Sequence, residues 1–126
     1  MDDQQRDRQV TGWKPLDIKE RTFLFAVDVV NWAKRMPSDH STQVLVRQVL
    51  RSATSIGANV EEADGATTEK DKAYKWAIAR KEARETRYWL RLVNATATAA
   101  AETNELEQEA TELIRILSAL INKRKL

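Results

Sequence analysis

The sequence predicts an all-α protein, an antiparallel up-down four-helix bundle, and three observations carry that prediction. Only three Gly and two Pro occur in 126 residues, against about a dozen at average usage, so turns are few and regular elements long. Ala, Glu, Lys, Arg and Leu, all good helix formers, dominate between them. Apolar residues recur at spacings of three and four, in stretches bounded by capping signals.

Taken in order, residues 1–16 read as a flexible polar N-terminal tail with Trp13 and Pro15 near its end, and residues 17–126 as one helical domain. Asp17-Ile18-Lys19-Glu20 has an N-cap with a Glu three positions on, a capping-box variant. The first helix follows with Ile18, Thr22, Phe25, Ala26, Val29, Ala33 and Met36 on one face, and Pro37 stops it. Ser41 or Thr42 opens the second, whose stripe is Leu45, Val49, Ala53, Ile56 and Val60. Asp64-Gly65 closes it, Gly suiting a left-handed C-cap.

Thr68-Glu69-Lys70-Asp71 caps a third helix predicted to run to near residue 100, about 45 Å at 1.5 Å per residue. The Ala-Thr alternation from Ala95 to Ala101 is its weakest part, Thr being a mediocre helix former. Asn104-Glu105-Leu106-Glu107 is the predicted cap of the fourth helix, with Leu106, Ala110, Leu113, Ile114, Leu117, Leu120 and Ile121 as its stripe. Short connections between helices of similar length favour antiparallel neighbours.

Composition limits the functional classes. Cysteine is absent, which removes disulfides and thiolate metal sites. The polar start, Met1-Asp2-Asp3-Gln4-Gln5, lacks the apolar core of a signal peptide, and no apolar run approaches the roughly 20 residues of a membrane span. The expectation is a cytoplasmic protein. The single histidine, His40, falls in the first interhelical loop, outside the Glu-x-x-His pattern that di-iron bundles require. Glu61-x-x-Asp64 precedes Glu82-x-x-Glu85, the reverse of the order in which all-helical pyrophosphohydrolases hold magnesium. No Gly-rich phosphate loop and no Ser-His or Cys-His pair is present. The expectation is therefore a protein that is not an enzyme and carries no cofactor and no metal.

Three groups of residues stand out beyond the core. Phe23, Val27 and Val30 form a second apolar patch on the first helix, roughly 120° or more from its core stripe. Gln48, Ser52, Ser55, Asn59 and Glu62 make a polar line beside the apolar stripe of the second helix. Both are read as surfaces for self-association, a wide core stripe being the alternative for the first. The small serines of the second would also allow close helix approach, and Gln48 and Asn59 need hydrogen-bond partners if buried. On the third helix, Glu82 and Glu85 share a face with Ile78, Trp89, Leu92 and Val93. Carboxylates placed there need a counter-charge, from Arg51 or from a neighbouring subunit, in a polar network that fixes register.

The third group is cationic. Arg80, Arg84, Arg87 and Arg91 fall within about 60° of one another at 100° per residue, with Trp76 at the margin. Neighbours in that stripe repel, so negative charge should come from elsewhere. One source is internal: Glu105, Glu107, Glu109 and Glu112 cluster early in the fourth helix. The other is a phosphate backbone, which arginine clamps through two nitrogens. Lys70, Lys72 and Lys75 extend the basic surface, and Lys123-Arg124-Lys125 forms a basic end. Trp76, Tyr88 and Trp89 are read as core or interface residues rather than as a stacking platform for bases.

Three segments carry a family resemblance: Asp17-Ile18-Lys19-Glu20-Arg21-Thr22-Phe23, Arg51-Ser52-Ala53-Thr54-Ser55-Ile56-Gly57-Ala58-Asn59-Val60-Glu61-Glu62-Ala63, and Lys81-Glu82-Ala83-Arg84-Glu85-Thr86-Arg87-Tyr88-Trp89-Leu90-Arg91-Leu92. Over residues 17–126 the chain resembles the bacterial four-helix bundle family named for proteins encoded in 23S rRNA intervening sequences. That family includes the accessory variability proteins of diversity-generating retroelements. Its Ser-Ile-x-x-Asn-Ile-Ala-Glu-Gly signature reads here Ser55-Ile56-Gly57-Ala58-Asn59-Val60-Glu61-Glu62-Ala63, with Gly57 where many relatives have Pro and Ala63 where many have Gly. The resemblance implies a homopentameric ring, no agreed catalytic residues and, in the retroelement branch, a basic surface that binds nucleic acid and a reverse transcriptase.

The functional expectation is an oligomeric, non-enzymatic scaffold binding RNA or DNA through Arg80, Arg84, Arg87 and Arg91, supported by Lys123, Arg124 and Lys125. The alternatives are an adaptor for a protein partner such as a reverse transcriptase, or an oligomer without a nucleic-acid role.

Overall fold

A computed structural model describes residues 18–97 and 101–124, the last of these as backbone only. Four helices account for nearly all of them: α1 (Ile18–Arg35), α2 (His40–Asp64), α3 (Glu69–Thr96) and α4 (Ala101–Arg124). No strand occurs among the described residues. Each helix packs on its chain neighbours, and α4 returns to α1, closing a four-helix ring. The direction of each pairing is read from its polar contacts. Lys19 at the start of α1 bonds Asp64 at the end of α2, Arg51 and Lys75 join α2 to α3, and Asn94 meets Glu107 across α3 and α4. All neighbours are antiparallel, as the short connections imply.

The predicted stripes become the core. Phe25 and Val29 of α1, Val49, Ala53, Ile56 and Val60 of α2, and Leu106, Ala110, Leu113, Ile114, Leu117 and Ile121 of α4 are all buried. Two residues were assigned differently by periodicity. Val46 rather than Leu45 is fully inside on α2, and Trp32, outside the predicted stripe, is one of the largest fully buried side chains. α3 contributes small residues, Ala79, Ala83 and Thr86, beside Leu90 and Val93. Its packing with α2 is the most extensive in the bundle.

Three boundaries and one cap conformation differ from expectation, each for a physical reason. The cap of α2 is Asp39, not Ser41 or Thr42. Its carboxylate accepts from the Thr42 backbone N–H at 3.1 Å, the Thr42 hydroxyl at 2.9 Å and the Ser41 hydroxyl at 3.1 Å. His40 is therefore the exposed first residue of α2 instead of a loop residue. At the other end Gly65 caps with φ −89° and ψ 2°, so the left-handed conformation expected of it is not used. Its N–H bonds the Glu61 carbonyl at 3.3 Å instead. α3 ends at Thr96, short of residue 100, because Ala97 turns extended while its N–H still reaches Val93 at 2.8 Å. α4 begins at Ala101, three residues before the cap predicted at Asn104. Tertiary contacts account for the extra turn: Thr103 accepts a hydrogen bond from Trp32 and Glu102 pairs with Arg35.

The α1–α4 seam is held by polar contacts at depth. Arg21, almost fully buried, donates from Nε and Nη2 to both carboxylate oxygens of Glu109, at 2.7 and 2.8 Å. Those hydrogen bonds raise the Arg21 pKa against the opposing effect of burial. One turn from the opposite end, Trp32 Nε1 donates to the buried Thr103 hydroxyl at 2.9 Å.

The Asp17 cap and the tail over 1–16 lie outside the described residues. No helix among the described residues is long and apolar enough to cross a membrane.

Two predictions follow from these contacts. Thr103→Val keeps the shape but leaves the Trp32 indole N–H buried without an acceptor, and should cost about 1–3 kcal/mol in urea unfolding; a change within experimental error would mean the bond contributes nothing. The Thr42 hydroxyl, then the Thr42 backbone N–H, hold the Asp39 carboxyl below its ordinary pKa. Its stabilising effect is complete above the ordinary carboxylate pKa and is lost as pH falls through the lowered one. Asp39→Asn should flatten that part of the acid limb in a circular-dichroism titration, whereas an unchanged limb would assign acid sensitivity to other carboxylates.

Candidate nucleic-acid interface

The residues singled out in α3 divide between its two flanks. On the α2 flank the polar network forms inside one chain. Arg51 donates from Nη2 to Glu85 at 2.6 Å and to Gln48 at 3.0 Å, and lies 3.7 Å from Glu82 as an ion pair. This explains carboxylates among Ile78, Trp89 and Leu92: Arg51 supplies the counter-charge within the chain. Glu82 Oε2 and the neighbouring Trp89 Nε1 are nonetheless buried without a hydrogen bond among the described residues.

The polar line of α2 flanks the same seam. Ser52 is fully buried and accepts from the Thr86 hydroxyl at 2.8 Å, so it belongs to α2–α3 packing and not to a subunit surface. Glu62 pairs with Lys75 at 3.0 Å. Asn59 and Ser55 bond backbone carbonyls one turn back, at 2.8 and 2.9 Å. Gln48, Ser55 and Asn59 stay partly accessible and Glu62 exposed.

The apolar patch of α1 is solvent-facing. Phe23 is 60% exposed, and Val27 and Val30 are also on the surface, which removes the wide-core alternative. Together with Ala26 and Asn31 they line a shallow depression. A second groove runs from Phe23 and Ala26 to Thr54, Gly57 and Ala58 of α2. A Cβ at Gly57 would sit 3.5 Å from the Thr22 carbonyl oxygen, an ordinary contact. The glycine there is not demanded by space.

On the α4 flank lies the arginine stripe. Arg84 and Arg91 are exposed, and Arg80 and Arg87 partly so. Arg80 donates to the Ser118 hydroxyl of α4 at 3.2 Å. Among the described residues Arg84, Arg87 and Arg91 have no ion pair or hydrogen bond, and of the acidic residues early in α4 all but the exposed Glu105 are committed elsewhere. Glu102 pairs with Arg35, Glu109 with Arg21 and Glu112 with Arg115, while Glu107 accepts from Asn94. The internal neutralisation left open by the sequence does not occur among the described residues. Each like-charged neighbour pair in the stripe costs about 0.2–0.5 kcal/mol.

Antiparallel packing places the end of α4 beside the first turns of α3, so Lys123, which is exposed, belongs at the Arg80 end of the stripe. The Arg124 side chain and Lys125 lie outside the described residues.

One feature was missed in the sequence and one reading is narrowed. Arg21 was not recognised as buried, although it sits directly beside Thr22 at the edge of the core stripe. Tyr88, assigned to core or interface, is 55% exposed. Its position one turn from both Arg84 and Arg91 was the available signal. Trp76 is buried and Trp89 packs partly against the core, as expected.

Comparison with known proteins follows the same lines. A comparison with curated proteins returns no match. Among solved structures, a protein of unknown function from the S23 ribosomal protein family of Bacteroides thetaiotaomicron superposes with a TM-score of 0.76 at 37% identity, covering 82% of this chain and 97% of that one. The family model described as 23S rRNA-intervening sequence protein matches residues 14–119. On that span, and with this four-helix architecture, the chain belongs to the 23S rRNA-intervening sequence protein family.

Proposed function

We propose that the protein is a non-enzymatic scaffold that binds the phosphate backbone of RNA or DNA through α3, assembled as a homopentameric ring. One observation carries the binding half of this reading. Arg84, Arg87 and Arg91 share one face of α3 and remain without an anionic partner among the described residues, although α4 alone carries Glu102, Glu105, Glu107, Glu109 and Glu112. Repulsion along the stripe is a small standing cost, and an external polyanion relieves it. Guanidinium groups suit that role, since each offers a planar fork to phosphate oxygens. The stripe lies on an exposed helix face, open to an extended polyanion.

Assembly draws on a different surface. Phe23, Val27 and Val30 form a contiguous exposed patch on the outer side of α1, and burial of such a patch at about 25 cal/mol per Å² favours association. The family assignment supports a ring as its form. Repeating the stripe around a ring would strengthen binding by avidity without any new contact.

Light scattering coupled to size-exclusion chromatography, with a short structured RNA at low and at moderate salt, tests both halves. The expected result is a mass near five protomers that increases with RNA at low salt and reverts as salt rises. Arg84→Glu together with Arg87→Glu should abolish the RNA shift and leave the protein mass unchanged. A pentamer that ignores RNA would contradict the binding reading, and a monomer would contradict the assembly. Dissociation of the ring in the double variant would move both arginines into the subunit interface.

A further inference from the structure

We infer that the α3 surface selects single-stranded over duplex nucleic acid, with Tyr88 stacking on an unpaired base while Arg84, Arg87 and Arg91 hold the adjoining phosphates. The inference rests on the phosphate-binding reading above and adds what that reading leaves open, the form of the strand.

Phosphate contacts alone are indifferent to strandedness, since duplexes and single strands both present them. An accessible aromatic ring is not indifferent. In a duplex the base faces are already stacked on one another, and a side chain on a convex helix reaches only groove edges. An unpaired base offers a free face, and aromatic rings set beside a cationic track are the usual platform for it.

The α3 face has this arrangement. Tyr88 follows Arg84 by four residues and precedes Arg91 by three, so both arginines are its neighbours on the helix surface. It lies about 40° around the helix from Arg84 and on the side away from the core, at 100° per residue. The phosphate contacts and the ring thus form two parallel lines, as the backbone and bases of one strand do. Although 55% of Tyr88 is exposed, its ring is not loose: it stands edge-on to Trp89, with centroids 5.1 Å apart and planes at 71°. Trp89 is itself packed against the core, which fixes the ring's orientation before any ligand arrives. Such preorganisation lowers the entropy lost on binding.

Tyr74, 63% exposed, lies on the same line two heptads earlier, with the exposed Lys81 midway between the two rings. The track from Arg80 to Arg91 is about 16 Å long at 1.5 Å per residue, and the run from Tyr74 to Tyr88 about 21 Å. Those lengths suit the lower end of the ~4–16 nucleotides that single-strand sites cover.

Fluorescence anisotropy with labelled oligonucleotides about twelve nucleotides long tests this. Single-stranded DNA, single-stranded RNA and a duplex of the same length are compared on the full chain, in wild type, Tyr88→Ala, Tyr88→Phe and the Arg84→Glu/Arg87→Glu double variant. Both single strands should bind more tightly than the duplex. Tyr88→Ala should weaken single strands roughly five- to hundred-fold, leave the duplex within about two-fold, and keep the wild-type circular dichroism. Tyr88→Phe, which retains the ring, should bind as wild type. Preference for only one of the two single strands would support stacking and assign the sugar as a second determinant. Equal binding of duplex and single strand, or a Tyr88→Ala loss common to both, would overturn the inference while arginine-dependent binding stood. No binding of any oligonucleotide at low salt would overturn both readings together.

Discussion

The structure depends on where its acidic residues are spent. Arg21 is the buried cation of α1, and leaving it without a carboxylate would cost several kcal/mol. Glu109 answers it through two hydrogen bonds and in doing so closes α4 onto α1. Arg35 draws Glu102 at the far end of the same seam, and Arg115 draws Glu112 along α4 itself. Once these pairings are made, the acidic start of α4 has little left to offer the α3 arginines on its other side. The geometry that seals the bundle thereby leaves an unneutralised cationic track on its surface.

That division separates the two sides of α3. Toward α2, cation and anion meet within the chain: Arg51 with Glu82 and Glu85, Lys75 with Glu62. Toward α4, arginine faces solvent. A net charge of only +2 conceals this asymmetry, because the compensating carboxylates sit elsewhere on the molecule. For long-range attraction of a polyanion, local arrangement matters more than the sum, since salt screens charges beyond about 8 Å at physiological ionic strength. The apolar patch at Phe23, Val27 and Val30 occupies a third side, on α1. The surfaces proposed for assembly and for nucleic-acid binding are therefore separate on one protomer.

Much of this was legible in the sequence, and the larger failures share a cause. Helix number, order and core stripes follow from periodicity, which is a local property; Leu106 to Ile121 in α4 and Val49 to Val60 in α2 needed nothing more. Arg51 as counter-charge to Glu82 and Glu85 was also accessible, since buried carboxylates demand a partner. The larger errors involve contacts between residues far apart in the chain, whereas the Asp39 cap of α2 was a local signal passed over. Trp32 was omitted from the core, and α4 was started at Asn104, for the same reason: the Trp32–Thr103 bond joins residues 71 positions apart. For Ser52 the close helix approach open to a small residue holds rather than the subunit surface, and its partner Thr86 lies on another helix. Whether the stripe was paired could not be decided from α3, because the answer lies with Arg21 and Arg35 on α1. Of the two roles read for Tyr88, core or interface, its exposure removes the first, as its angle on the helix among the arginines already implied.

Arg21 is sequestered with Glu109, whereas on the proposed reading Arg84, Arg87 and Arg91 stay unpaired until a polyanion binds. Arginine Nε–H resonances, resolved by nitrogen-15 NMR and assigned by single Arg→Lys variants, report this directly. The account predicts a slowly exchanging Arg21 signal in the free protein and fast exchange at Arg84, Arg87 and Arg91. Those three should become protected on adding a short single-stranded oligonucleotide, with Arg21 unchanged. Protection of the three arginines in the free protein would mean that they are already paired, within the chain or across a subunit contact, and would contradict the account.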